Sequence, residues 1–150
     1  IEGCLRSYLI DAKGKEHVMQ FAPEGWVVSD LKAFARDMPA TLNIDALEPS
    51  VVLVLTGPDF RNAIDTDQAF RTALLTKYQN SIIALNERLT DLLASSGEER
   101  YLRFVRTYPT LTQRLPQKLI ASYLGVTPES LSRIRHAIAK RKPGMGEGTH

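Results

Sequence analysis

Cysteine is almost absent from this sequence, with Cys4 alone among 150 residues. One thiol closes no intramolecular disulfide and cannot build a structural zinc site or ligate an iron–sulfur cluster, and so sparing a use fits a reducing compartment. A cytoplasmic protein is the expectation. No stretch approaches the roughly 18 consecutive apolar residues of a membrane-spanning helix, and no basic start followed by an apolar run marks a secretion signal. Neither membrane insertion nor export is expected. Catalytic signatures are lacking as well: HExxH, CxxC and GxSxG do not occur, and Gly144, Gly146 and Gly148 follow no strand that would make them a phosphate-binding loop. We expect no enzyme, and no metal site. With 43% hydrophobic and 24% charged residues the composition also excludes collagen and wholesale disorder. The chain starts at Ile1 inside a strand-like segment, so further residues are expected in front of it.

What is present is an uneven distribution of charge. The net charge of +2 divides into −4 over residues 1–94 and +6 over residues 95–150, so the second half is suited to a polyanion. Segments 5–10, 17–21, 26–28, 42–47 and 50–55 are short, rich in β-branched and aromatic residues, and separated by turn chemistry; they predict strands. Gly14, in the Asp11 to Lys15 turn, can take positive φ and predicts a hairpin.

Beyond Pro58 the pattern becomes helical, with a short piece over 59–64 and a long one over 67–93. Along the long helix Phe70, Leu74, Tyr78, Ile82, Leu85, Leu89 and Leu92 recur every three or four residues and form one stripe. A helix of this length, about 40 Å at 1.5 Å per residue, overhangs a small β domain, and a second copy of the chain is the simplest cover for its stripe. Ser96 and Glu99 have capping-box spacing and start a further helix to about Tyr108. Pro116 suits the first position of the next helix, which Gly125 ends, and Thr127 is the expected N-cap of a last helix running to Lys140.

Residues 117–135, QKLIASYLGVTPESLSRIR, have the mechanical plan of a helix-turn-helix. Ile120 and Leu124 share a face, Ala121 is small where two helices cross, Gly125 permits the turn, Val126 plugs it, and Leu131 and Ile134 face inward. That leaves Glu129, Ser130, Ser132, Arg133 and Arg135 on the outer surfaces. Arg133 can donate two hydrogen bonds to guanine O6 and N7, and Glu129 can accept from cytosine N4. Ser130, Ser132, Lys118, Arg135, Lys140, Arg141 and Lys142 are the candidate phosphate contacts. Double-stranded DNA is the expected partner; a ligand-sensing or protein-interaction module that has lost DNA binding is the alternative.

The stretch from Glu98 to Lys140, with ERYLRF, YP and LPQKLIASYLGVTPESLSRIR, resembles the C-terminal domain of Crp/Fnr transcription regulators. GKEHVMQFAPEGWVVSDL and LNIDALEPSVVLVL are similar to that family's cyclic-nucleotide-binding-type β-roll, and the long helix resembles its dimerisation helix. The resemblance covers nearly all of residues 1–142. It implies a homodimeric bacterial regulator on a palindromic operator, with RNA polymerase as a further partner, in which Glu129, Ser132 and Arg133 reproduce the Glu-x-x-Ser-Arg pattern that reads a TGA-containing half-site.

The chain departs from the family pattern in two ways. The family's first β-roll strands have no counterpart in residues 1–4 and are expected among the residues in front of Ile1, and no strand pair is expected after Lys142 to make a wing. In the ligand pocket, the positions of Gly-Glu-Leu and the Arg-Ser or Arg-Thr pair hold Ser29-Asp30-Leu31 and Ala40-Thr41. With Ala40 in place of the cation a cyclic phosphate would be buried without compensation, which argues against cyclic AMP. Asp30, Leu31 and Thr41 are the matching positions for any ligand. Haem has no support, since neither His17 nor His136 lies in a ligation motif, so no cofactor is expected. The fold class expected is therefore α+β: an antiparallel β-roll over 1–66, a dimerisation helix over 67–94, a helix-turn-helix domain over 95–142 and a disordered tail over 143–150.

Overall fold

A computed structural model describes residues 2–141. Lys142 and the 143–150 tail, with its three glycines, lie outside the described residues. The order is β1 (Leu5–Ile10), β2 (Glu16–Ala22), α1 (Leu31–Arg36), β3 (Asn43–Ala46), α2 (Gly57–Thr66), α3 (Gln68–Ala94), α4 (Gly97–Thr107), α5 (Leu111–Arg114), α6 (Gln117–Leu124) and α7 (Pro128–Arg141). The chain divides into two compact units between Leu89 and Thr90.

In the first unit β1 is central in a three-stranded antiparallel sheet of order β2-β1-β3. The expected hairpin forms: Gly14 has φ +77°, and the Asp11 carboxylate accepts from the N–H groups of Lys13 and Lys15, fixing the turn. The ladder slips between Ser7 and Tyr8, where Met19 is the extra residue of a bulge. Arg88, on α3, donates to the carbonyls of Val18 and Met19 there. Arg6 is only 7% exposed, yet compensated: its guanidinium meets the Asp45 carboxylate at 2.8 and 3.0 Å and Glu16 at 2.7 Å, one partner on each neighbouring strand. Cys4, Val18, Phe21, Ala22 and Leu74 are the buried apolar residues of this unit.

Two expected strands do not form. Residues 26–28 are irregular, and over 50–55 only Val51 pairs, through an isolated bridge to Glu2. Their β-branched residues favour a pleated surface only where a neighbouring strand offers hydrogen bonds, and among the described residues none does; Leu53 and Val54 are 70% and 78% exposed. The sequence pattern does not predict α1 or α5. Asp30 caps α1 by accepting from Ala33 N–H, and the helix stops after six residues because Asp37 turns left-handed at φ 49°.

In the second unit the capping box is complete, with Ser96 Oγ accepting from Glu99 N–H and the Glu99 carboxylate from Ser96 N–H. Pro116 differs from expectation: it sits at the N-cap, with ψ 136°, one position ahead of the helix. Asp91, buried, accepts from Arg103 at 2.8 Å and from Ser95 Oγ at 3.1 Å, which ties the end of α3 to α4. Phe104, Tyr108, Leu111, Leu115, Ile120, Ala121, Leu124 and Leu131 make the core, and the rings of Phe104, Tyr108 and Tyr123 lie 5.3 to 6.3 Å apart.

Candidate nucleic-acid interface

Ile120, Ala121, Leu124 and Leu131 are each no more than 3% exposed, so the two helices α6 and α7 are locked through the small and apolar positions of the motif. Gly125 sits at φ 67° and its N–H reaches the carbonyls of Ala121 and Ser122, while Val126 N–H also bonds the Ala121 carbonyl. A β-carbon at Gly125 would meet Leu92 Cδ2 at 3.1 Å in addition to the strain of its left-handed backbone. The turn therefore has little freedom, and α7 leaves it in one direction.

Thr127 is the N-cap: its Oγ1 accepts from Ser130 N–H at 3.2 Å. The same Oγ1 lies 3.1 Å from Ser130 Oγ, and Ser130 Oγ in turn accepts from Arg133 Nη2 at 3.1 Å. Turn, cap and guanidinium are thus joined by one chain of hydrogen bonds. Glu129 and Arg133, four residues apart, share an exposed face of α7. The Glu129 carboxyl is held below the usual carboxylate range, first by the N–H of its own residue, then by the Thr127 hydroxyl and the charge of Arg133. It is therefore an anionic acceptor at neutral pH beside a fixed donor.

Ser132, Lys118 and Lys140 are exposed and Arg135 is half-buried. Among the described residues Lys118, Arg135 and Lys140 form no ion pair. Arg141 differs, since its guanidinium is paired with the Glu98 carboxylate on α4, and any phosphate contact would have to displace that partner. The part played by Ser130 in holding Arg133 was not read from sequence. Its signal is the run Thr127, Ser130, Arg133, three residues apart, which puts two hydroxyls and a guanidinium along one ridge.

The ligand positions in the first unit are also brought together, but as partners of one another. Asp30 Oδ2 accepts from Thr41 N–H at 2.7 Å, Thr41 Oγ1 at 3.1 Å and Leu42 N–H at 3.0 Å, while Oδ1 takes Ala33 N–H. These bonds, led by the one from Ala33 N–H, hold the Asp30 carboxyl well below the usual range. Leu31 instead opens onto a cavity formed by α1, α2 and α3. Along α3 the expected stripe changes character: Leu74 is buried and Phe70 and Tyr78 half-buried, whereas Ile82, Leu85, Leu89 and Leu92 are 59%, 58%, 54% and 41% exposed. No described helix is long and apolar enough to cross a membrane.

No family model and no curated protein matches the sequence. Solved structures do. FixK2 from Bradyrhizobium japonicum superposes with a TM-score of 0.72 at 15% identity, over 98% of this chain and 77% of that one. A protein from Eubacterium rectale described as a transcriptional regulator of the Crp/Fnr family gives 0.67 at 13% identity, over 97% and 71% of the two chains. CLP from Xanthomonas campestris, described as a c-di-GMP responsive global regulator, gives 0.64 at 11% identity, over 99% and 79%. At such identities the likeness is one of architecture, and on it, with the capped helix-turn-helix and the long α3, the chain has the fold of the Crp/Fnr-type regulators.

Proposed function

We propose that this chain is a cytoplasmic bacterial transcription regulator of the Crp/Fnr family that binds a palindromic operator as a homodimer. The observation that carries the reading is the exposed Glu129 and Arg133 pair on α7, with Arg133 braced through Ser130 to the N-cap. Arg133 supplies the bidentate donor for guanine and Glu129 the acceptor for cytosine, which suits a TGA-containing half-site. Ser132 completes the Glu-x-x-Ser-Arg pattern. Lys118, Arg135, Lys140 and Lys142 contact phosphate, which positions the helix without reading sequence. Arg141 joins them when Glu98 releases it.

Two copies meet through Ile82, Leu85, Leu89 and Leu92, whose exposure within one protomer supports the assignment. Phe70, Leu74 and Tyr78 extend the same stripe but are partly or wholly occupied within their own unit. RNA polymerase is the further partner the family reading brings. Cyclic AMP is not the effector: Asp30 and Thr41 spend their hydrogen bonds on one another, and Ala40 offers the phosphate no charge.

Selection of bound duplexes from a random pool tests binding, symmetry and sequence together. The expected product is an inverted repeat of TGA half-sites about one helical turn, roughly 34 Å, apart. A pool that fails to converge, together with affinity insensitive to salt, would replace this reading by a module that has lost DNA binding.

A further inference from the structure

Only Ser95 and Ser96 separate α3 from α4, and a two-residue break between helices is a natural joint. Here it is closed from both sides. Asp91, in the last turn of α3 and 7% exposed, takes Arg103 Nε at 2.8 Å and Ser95 Oγ at 3.1 Å. Arg100 donates from Nη1 to the Ser95 carbonyl at 2.6 Å, and Ser95 N–H bonds the Asp91 carbonyl at 3.0 Å. The ion pair joins α3 to the second turn of α4, and with its acid buried it is a charge-assisted bond sheltered from water.

The same turn of α3 reaches the helix-turn-helix. A β-carbon at Gly125, the stop of α6, would lie 3.1 Å from Leu92 Cδ2, so the leucine methyl rests against the turn itself. Gly97, the first residue of α4, closes the other side: a β-carbon there would meet Ile134 Cδ1 of α7 at 3.1 Å and Val126 Cγ1 at 3.3 Å. Residues 90–94 accordingly belong to the second compact unit, although α3 is unbroken from Gln68 to Ala94. Leu92 is also the last residue of the exposed stripe, so one side chain of the proposed dimer seam lies against the turn that precedes the recognition helix.

We propose that Asp91 is a positioning residue for the recognition helix: by holding Arg103 and Ser95 it fixes the last turn of α3 to α4 and to the turn at Gly125, so that α3 sets the direction of α7 and with it the half-site spacing that the dimer accepts. The proposal rests on the reading of the chain as a dimeric operator-binding protein. One added base pair moves the second half-site about 3.4 Å along the duplex and turns it by about 35°. Two recognition helices carried rigidly on α3 cannot follow that shift without losing contacts, whereas helices on an open joint can. Asp91, buried among its partners, reads no base itself; its effect passes through the direction of α7.

Anisotropy on the full chain compares the duplex selected from the random pool with duplexes whose half-sites are one base pair closer or farther apart, and with a single half-site. The parent is expected to lose at least tenfold in affinity on either respaced duplex. Asp91→Asn combined with Arg103→Gln removes the ion pair without leaving a buried charge unpaired. This variant should lose less than threefold on the respaced duplexes and bind the single half-site within threefold of the parent, a pattern that general loss of folding or affinity does not give. Ser95→Ala, which removes one hydrogen bond and no charge, is the milder variant and should shrink the spacing penalty in the same direction. Without DNA, hydrogen exchange over 90–97 should run in step with that over 117–131 in the parent, and become at least tenfold faster in the double variant while 117–131 stays within twofold. Equal parent affinity at the three spacings, a spacing penalty that both variants keep, or exchange over 90–97 that the double variant leaves unchanged would overturn this proposal alone. A parent that does not prefer its selected duplex to scrambled DNA would overturn the DNA reading, and this proposal with it.

Discussion

Replacing Leu85 and Leu89 by glutamine separates an interface from a core. Both leucines are more than half exposed in the protomer, at 58% and 54%. Fully burying a leucine is worth about 1.5–3 kcal/mol, so covering the exposed half gives about 0.8–1.5 kcal/mol per side chain. A symmetric dimer covers four of them, or about 3–6 kcal/mol, which corresponds to a dissociation constant raised on the order of a hundredfold to ten-thousandfold in the double variant. Glutamine has nearly the helix propensity of leucine and brings no charge, so α3 itself should persist. Within the protomer these are surface substitutions, and folding stability should change by no more than about 0.5 kcal/mol per site. Sedimentation equilibrium gives the dissociation constant, and thermal unfolding at concentrations where both proteins are monomeric gives the stability. A variant that dimerises within tenfold of the parent, or whose monomer unfolds many degrees lower, would refute the assignment of this stripe to the interface.

Ser130→Ala removes the acceptor that restrains Arg133 while leaving the base-reading group in place. The exposed hydrogen bond and the returned rotamer freedom together should cost operator affinity about 0.5–1.5 kcal/mol per half-site, less than losing Arg133 itself, and fluorescence anisotropy on operator DNA measures it. Asp30 has a folded-state pKa below its unfolded value, so its contribution is fully present above the unfolded pKa of about 4 and is lost as pH falls from there towards the folded value. Asp30→Ala should therefore be less stable at neutral pH and show a shallower loss of stability below about pH 4 in urea unfolding; parallel pH profiles would contradict the bonding to Ala33, Thr41 and Leu42.

Local chemistry was legible where a residue acts on its own neighbours. Gly14 in the hairpin, the Ser96 and Glu99 box, Thr127 as cap and Gly125 as stop are each satisfied within a few residues, and the structure places them as the sequence implies. Residues 26–28 and 50–55 have strand composition but form no strand, because β propensity is realised only against a partner strand. α1 went unseen since its cap also serves a distant loop: Asp30 bonds Thr41 and Leu42 as well as Ala33, and that reach has no periodic signature. The stripe on α3 was visible as one set, but its division into an occupied first part and an exposed second part depends on which neighbours cover it.

The central claim is that α7 reads DNA sequence through Arg133. Binding of the parent and of Arg133→Ala should be measured by anisotropy, over a range of salt concentrations, on a duplex with inverted TGA half-sites one turn apart and on its scrambled counterpart. The parent should prefer the operator, and Arg133→Ala should lower that preference by about 1–3 kcal/mol per half-site, with the slope against salt on scrambled DNA little changed. An operator-to-scrambled ratio that is the same in both proteins would contradict it.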